Sequence, residues 1–502
     1  MTRRSLWKVP VIIGWLLAIP SAAIAQSSIA GTVKDTSGAV LPGVTVTITS
    51  PVLIEGSKEV TTDGGGNYRV VDLRPGSYTV KFVLTGFASV ERTGFQLLSD
   101  FNARIDADMK VGAMEETITV SGQAPIVDVQ SATKVAVLDR EALDNVPTGK
   151  TIPGLGQLVL GVTLSAPDVG GSAGAMNTYM SLRGGTVSSS NNTVMVDGMV
   201  INGLQGDGSV QTYTNDADFQ EMSYQTAGMG AERSGGGVAV NLIPKEGGNR
   251  FSGSASALMR PGALQAQNYS ERFKTWGLPV DKDGNPLINR IERITDLNIA
   301  EGGPIKKDKL WFFASARDFQ PVNTVPNTFN DDGSQGLDDN FIRNTLLRLT
   351  FQASPQHKFA AYYERVFKWR GHDMGAYDDP ETAARVWTSP HYSTSSAKYT
   401  GTISPKLLVE GGFSQNVEFY RTSLNGELQQ TRGSDKWYAN ASRAGTGYGV
   451  TVAIPESALR YPVSQVWSAS SSYVTGAHHA KVGFQLKHGP FHNGTDGNAD
   501  LQ

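Results

Sequence analysis

AKVGFQLKHG, Ala480 to Gly489, sets Ala480, Val482, Phe484 and Leu486 against Lys481, Gly483, Gln485 and Lys487. Side chains alternate sides along a strand, so this stretch predicts one apolar and one polar face. LLVEGGFSQNVEFY repeats the design, with Leu407, Val409, Gly411 and Phe413 against Glu410, Gly412, Ser414 and Asn416. KLWFFASARDF and HKFAAYYERVFKW are longer, aromatic-rich versions. Strands of about ten residues with lipid on one side and water on the other are the mark of a membrane β-barrel. Trp311, Phe313, Tyr362, Tyr363, Trp369, Trp467 and Tyr473 are expected in its interfacial girdles. The connections GGPIKKDK, ASPQHK, SPK and TGAHH are short, whereas DPETAARVWTSPHY and GELQQTRGSDKWYANASRAGTGYG are long. Short turns on one side and long loops on the other fit a barrel with its short turns in the periplasm.

Outward from this segment, the composition agrees. The chain has 502 residues, 56 of them glycine, with 18% charged residues and a net charge of -3. That balance lacks the basic footprint of a nucleic-acid binder, so no nucleic-acid partner is expected. Cysteine is absent, which removes disulfides, thiolate metal sites, cysteine nucleophiles and a lipoprotein anchor. Residues 1–25 read as a signal peptide: Arg3, Arg4 and Lys8 precede an apolar run, and Ala23-Ile24-Ala25 places cleavage after Ala25. Sec export is favoured over the twin-arginine reading of TRRSLWK. Beyond Ala25 no apolar run is long enough to span a bilayer as a helix, so any membrane passage must be by a closed barrel.

Residues 26–112 read as a small antiparallel β-sandwich of about seven strands. IAGTVKD and VTVTITS alternate across the turn TSGAVLPG, and Val44, Val46 and Ile48 share a face, as do Tyr78, Val80 and Phe82. Asp35, Asp63 and Asp72 are read as turn aspartates, not metal ligands. GTVKDTSGAVLPGVTVTIT followed by TTDGGGNYRVVDLRPGSYTVKFVLTGF resembles the carboxypeptidase regulatory-like domain, a transthyretin-like sandwich. The resemblance implies an accessory fold and no chemistry.

Residues 125–248 mix helices, strands and glycine-rich loops. LDREALDNVP predicts a short helix capped by Asp139, TVMVDGMVING two strands about an Asp-Gly turn, and ADFQEMSYQTAG a short helix ending at Gly228. SLRGGTVSSSNNTVMVDGMVING and MGAERSGGGVAVNLIPKEGGNRFSGS are similar to the plug domain of TonB-dependent outer-membrane receptors, through Arg183, Gly184, Asp197, Gly198 and Gly235, Gly236 and Gly237. Arg183 and Asp197 are read as structural ions within the plug. EGGPIKKDKLWFFASARDF is similar to early barrel strands of the Oar-like branch of that family.

The resemblance implies a mostly β chain: a sandwich, an α+β plug, and over residues 249–502 the N-terminal part of a barrel of the roughly 22-stranded type. It implies TonB and its inner-membrane motor complex as partners, outer-membrane lipid around the barrel, and an extracellular ligand. The linker 113–124 contains Glu116, Thr117, Ile118, Thr119 and Val120, which sit where the family carries its TonB box; an extended peptide there can add as a strand to a partner sheet. About 250 residues of barrel supply roughly ten strands, too few to enclose a plug. The end HNGTDGNADLQ reads as a polar loop, so the chain is expected to be part of a longer protein.

No cofactor, metal or catalytic activity is expected. TGKT at Thr148 to Thr151 would need a glycine where Asp144 stands, and DKDGNP at Asp281 has Pro286 where a calcium loop needs glycine. The seven histidines show no metal spacing, and no G-x-S-x-G elbow is present. The expected function is energy-coupled passage of a ligand across the outer membrane; the rival is an adhesion or structural surface protein built from the same modules.

Overall fold

The computed structural model describes residues 27–497 except 54–55, 72, 75, 98–101, 113–116, 122–133, 166–167, 169, 176–179, 183–191, 205–212, 230–235, 267–269, 278–279, 281–283, 285, 405, 425–430, 432, 436–455 and 476–477. The signal-peptide reading, Asp72, Glu116, Arg183, Gly184 and Gly235 therefore lie outside the described residues.

The alternating segments of the N-terminal part become nine strands. These are β1 (Ser28–Asp35), β2 (Thr45–Thr49), β3 (Ser57–Thr61), β4 (Asn67–Val70), β5 (Gly76–Val83), β6 (Ser89–Leu97), β7 (Asn102–Arg104), β8 (Ala107–Met109) and β9 (Thr117–Ser121). One sheet runs β4-β1-β7, with β8 also on β1; the other runs β3-β2-β5-β6-β9. Val44, Val46, Ile48, Tyr78, Val80 and Phe82 are all buried between them, so burial of these aliphatic and aromatic faces drives the module. Tyr68 packs edge-on to Phe82 and donates its hydroxyl to Ile105 O at 2.7 Å, which satisfies the phenol in the core. Asp35 accepts from Ser37 and Ala39, and Asp63 from Gly65 and Asn67. Both are turn aspartates, and the Ser37 hydroxyl together with the Ala39 N–H holds the Asp35 carboxyl below its usual range. The sandwich is not purely antiparallel: β7 and β8 run parallel to β1, and β9 runs parallel to β6.

The middle segment builds a five-stranded sheet in the order β10-β15-β16-β13-β14. Its elements in chain order are β10 (Lys134–Asp139), α1 (Arg140–Asn145), α2 (Ile152–Gly156), β11 (Val162–Leu164), β12 (Met180–Leu182), β13 (Thr193–Val196), β14 (Met199–Val200), β15 (Phe219–Ala227) and β16 (Ala239–Pro244). Asp139 caps α1 by accepting from Ala142 N–H at 2.9 Å. The helix expected over ADFQEMSYQTAG is instead a single 3-10 turn, Asp216–Asp218, followed by β15. Arg140 Nη1 donates to Asp216 O at 2.9 Å and Phe219 O at 2.8 Å, which ties this turn to α1. Beyond the turn the chain finds ladder partners in β10 and β16 on either side, and that pairing takes the place of a helix.

The C-terminal part is one antiparallel sheet. Its elements are β17 (Ser252–Pro261), α3 (Glu271–Thr275), β18 (Ile291–Lys306), β19 (Leu310–Phe329), β20 (Gln335–Ser354), β21 (His357–Asp373), β22 (Arg385–Ser404), β23 (Leu407–Leu424), β24 (Glu456–Thr475), β25 (His478–His488) and β26 (Phe491–Gly497). The order follows the chain from β17 to β25, and β26 also pairs with β24. Several strands reach 20 residues, twice the expected length. Tight turns join β18 to β19, β20 to β21, β22 to β23 and β24 to β25 at one end of the sheet; the other end carries the long connections and the short β19–β20 turn.

HNGTDG is not a loop: β26 pairs with Glu456 to Pro462 of β24, and β25 pairs with Gln465 to Thr475 of the same strand. The two segments are thus one strand broken at Gly489-Pro490, where a Cβ on Gly489 would run into Val463 O.

The burial pattern is inside-out. Leu347, Tyr363, Trp467, Val482 and Phe484 are exposed on one face, while Asn344, Arg348, Glu364, Lys368, Asn416 and Glu418 are buried on the other. Buried polar groups need partners: the middle segment, packed against this face, supplies them for Asn344, Arg348 and Lys368, while Glu364 and Glu418 accept from Asn344, Tyr362 and Asn416 of the sheet itself. Phe313 and Tyr362 join the core cluster of that segment, and Trp311 is also buried. These three expected girdle residues face inward, whereas Tyr363, Trp369, Trp467 and Tyr473 are on the exposed face. Parity decides: a strand one residue out of phase swaps every side chain to the other face. The chain is mostly β, a transthyretin-like sandwich, an α+β plug and a barrel-type sheet, and among the described residues no helix is long and apolar enough to cross a membrane. Leu347→Arg, at mid-strand on the exposed face, is expected to cost about 2–4 kcal/mol of unfolding free energy in lipid vesicles. A urea titration showing no loss would contradict a lipid-facing assignment.

Candidate functional site

The β13–β14 hairpin turns at Asp197 and Gly198, both with left-handed φ (52° and 78°), the backbone that an Asp-Gly type I′ turn requires. Gly198 N–H donates to Asn241 Oδ1 at 2.9 Å and Asp197 N–H to Leu242 O at 3.0 Å, so β16 holds the turn in place. This aims the Asp197 carboxylate at the sheet, where it pairs with Arg348 of β20. The other arm of Arg348 donates to Glu246 Oε1 at 2.6 Å, just past β16. Lys398 of β22 donates to Asp197 O at 3.0 Å and pairs with Glu410 at 3.1 Å. Glu246 also pairs with Arg74 of the sandwich, and Lys358 approaches it at 3.9 Å. One ionic chain, Arg74–Glu246–Arg348–Asp197, therefore links sandwich, plug and wall. It lies toward the tight-turn end of the sheet, where Lys406 also pairs with Asp63 of the sandwich at 3.4 Å.

Beside the apolar contact of Ala300, Phe313, Leu346 and Tyr362 with the plug core, wall side chains donate to plug carbonyls. Asn323 donates to Ser172 O at 2.9 Å, Lys368 to Ala175 O at 2.5 Å, Asn344 to Tyr213 O at 3.0 Å, Ser414 to Val200 O at 2.7 Å and Lys487 to Gly203 O at 3.0 Å. Plug loops have no ladder of their own for these carbonyls, and a buried carbonyl must be paired. Water can replace side-chain donors almost without enthalpic loss. The contact is thus firm while dry and separable once wetted. Toward the other end of the sheet, Lys368 lies over the rings of Tyr213 and Trp387, at 4.1 and 4.4 Å, and Trp387 stacks on Tyr420. Arg370 bridges Asp338 and Asp373 above them.

Of the residues singled out from sequence, Asp197 and Gly198 form the wall-contacting turn, and Gly236 and Gly237 lead into β16. Thr117 to Val120 lie far along the chain on the sandwich edge. Arg348, Glu246, Lys398 and Lys368 were not singled out. Their signal was available: in RNTLLRLTF, Arg348 shares parity with Asn344 on the polar side of the strand.

Arg348→Ala leaves Asp197 without its cation and Glu246 with only Arg74 and the more distant Lys358, which costs about 1–3 kcal/mol. Amide exchange in β13, β14 and β16 should rise accordingly, and the triple change Arg348→Met, Asp197→Asn, Glu246→Gln should recover most of the protection. Unchanged exchange in Arg348→Ala would show that the ion chain does not hold the plug.

Residues 28–110 match the carboxypeptidase regulatory-like domain. The chain is 34% identical over 338 residues to the TonB-dependent transporter Oar of Myxococcus xanthus, a match covering 62% of this chain and 28% of that protein. Among solved structures, the RagAB peptide importer in its closed-closed state shares 14% identity with a TM-score of 0.46, covering 74% of this chain and 49% of that one. The ferric enterobactin receptor of Pseudomonas aeruginosa shares 11% with a TM-score of 0.45, covering 71% and 49%, and the outer membrane transporter YddB of Escherichia coli 12% with 0.45, covering 72% and 54%. The chain thus spans 28% of the curated relative and about half of these structures. Its similar proteins are transporters and receptors, not enzymes, and the chain is similar to a TonB-dependent transporter of the Oar kind with a carboxypeptidase regulatory-like domain at its start.

Proposed function

We propose that this chain is part of an outer-membrane TonB-dependent transporter that binds an extracellular ligand and passes it to the periplasm with energy delivered by TonB and its inner-membrane motor complex. The observation that carries the reading is the plug–wall contact. A plug held largely by side-chain donors on its backbone carbonyls and by one ion chain, with a limited apolar patch at Phe313, Leu346 and Tyr362, can be pulled from the wall and rehydrated without unfolding the sheet.

Orientation follows from the sheet. Its tight-turn end would face the periplasm, and the sandwich contacts that end through Arg74–Glu246 and Asp63–Lys406. The long connections would face outward, with Lys368, Trp387, Tyr420 and the Arg370 pairs beneath them, on the path a ligand would take.

The candidate coupling segment is Glu116 to Val120. Immobilised TonB C-terminal domain should retain the detergent-solubilised protein, and deletion of Glu116 to Val120 should abolish retention while leaving the protein in the outer membrane. Retention that survives the deletion, together with ligand-independent cell attachment that depends on this protein, would favour the adhesion reading instead.

A further inference from the structure

From the residues, Glu116 to Val120 read as a strand-forming peptide on a connector between sandwich and plug. The structure places most of it elsewhere. Thr117–Ser121 form β9, the fifth strand of the sandwich sheet β3-β2-β5-β6-β9. The pairing with β6 is parallel and continuous over five positions, from Ser89↔Thr117 to Thr93↔Ser121. The chain leading into β9 is strapped to the same corner: Ala88 N–H donates to Lys110 O at 2.8 Å, Gly112 N–H to Gly86 O at 3.2 Å, and Phe87 bridges Val111. The sandwich is in turn tied to the tight-turn end of the sheet by Arg74–Glu246 and Asp63–Lys406.

Strand addition recognises a run of unpaired backbone N–H and C=O groups. One edge of β9 is already spent on β6. A short parallel edge strand is also a weakly held one, because parallel pairs are less stable per residue than antiparallel pairs and short two-strand contacts are marginal. Such a strand is occupied but exchangeable. The mechanical consequence is direct. While β9 stays on β6, a pull on it is shared with the sandwich and its two ion pairs; once β9 is exchanged, the pull runs along residues 122–133 to β10 and the plug.

We infer that the sandwich competes with TonB for the box strand: β6 holds Thr117–Ser121 in the idle protein, and an incoming TonB strand takes the place of β6. The inference rests on the reading of Glu116 to Val120 as a TonB box. It gives the accessory domain a specific task, that of keeping the coupling segment engaged until a partner strand displaces it.

These 502 residues contain no cysteine, so within them the pair Thr93→Cys with Ser121→Cys can form one intramolecular disulfide only, across facing positions of β6 and β9 and outside the box. The purified full protein in detergent is assayed against immobilised TonB C-terminal domain before and after reduction, with disulfide formation checked by mass. The expected result is quantitative disulfide formation, binding at least ten-fold weaker when oxidised, recovery on reduction, and no redox effect in the unsubstituted protein. Equal binding in both states would overturn the inference, because TonB would then be using the free edge of β9. Failure of the disulfide to form would overturn it by removing the β6–β9 pairing. Absence of binding by the reduced variant and the unsubstituted protein alike would bring down the box reading itself, and the inference with it.

Discussion

Backbone carbonyls along the plug take their donors from side chains of the sheet's inner face, and the organisation of that face answers to them. Asn323, Asn344, Lys368, Lys398, Ser414 and Lys487 reach from six different wall positions to plug carbonyls. A wall that must donate hydrogen bonds must be polar on that side, and a polar inner face forces the apolar residues outward. The inside-out alternation that first marks the strands is thus the far side of a hydrogen-bonding requirement. The plug satisfies the inner face, and the outer face is left apolar and exposed.

Within this contact the charges are concentrated, not spread. Arg348 is almost fully buried and divides its guanidinium between Asp197 and Glu246, a geometry suited to a forked donor and poorly met by lysine. Because Glu246 also receives Arg74, the position of the sandwich, the seat of the plug and the register of the wall meet at one carboxylate. Buried ion chains contribute little net stability but are costly to break on one side only. Such a chain suits an element that must be held in one seat and released as a unit.

Much of the architecture could be read from residues alone. Period-two alternation, the Asp-Gly turn, the Asp139 cap and the turn aspartates each depend on neighbours a few positions away, and local chemistry settles them. The failures share another origin. ADFQEMSYQTAG carries a helix-like start, yet its ladder partners β10 and β16, remote from it along the chain, make it a strand. Trp311, Phe313 and Tyr362 are aromatic and plausible at a membrane interface, but parity turns them onto the plug. Arg348 was legible as an inward-facing cation, whereas its two carboxylate partners, 151 and 102 residues away, were not.

What the sequence by itself determined is the set of faces: which residues alternate and where the chain turns. Only the tertiary structure decided what each face meets. It seated the Asp197 turn against Arg348, joined Gly489-Pro490 into a bent strand along β24, and gave Thr117–Ser121 to the edge of β6. The physical reason is the range of the forces involved. Backbone sterics and side-chain alternation act over a few residues and are written in local order. Hydrogen-bond and charge satisfaction act through space, between residues whose separation along the chain says nothing of their distance.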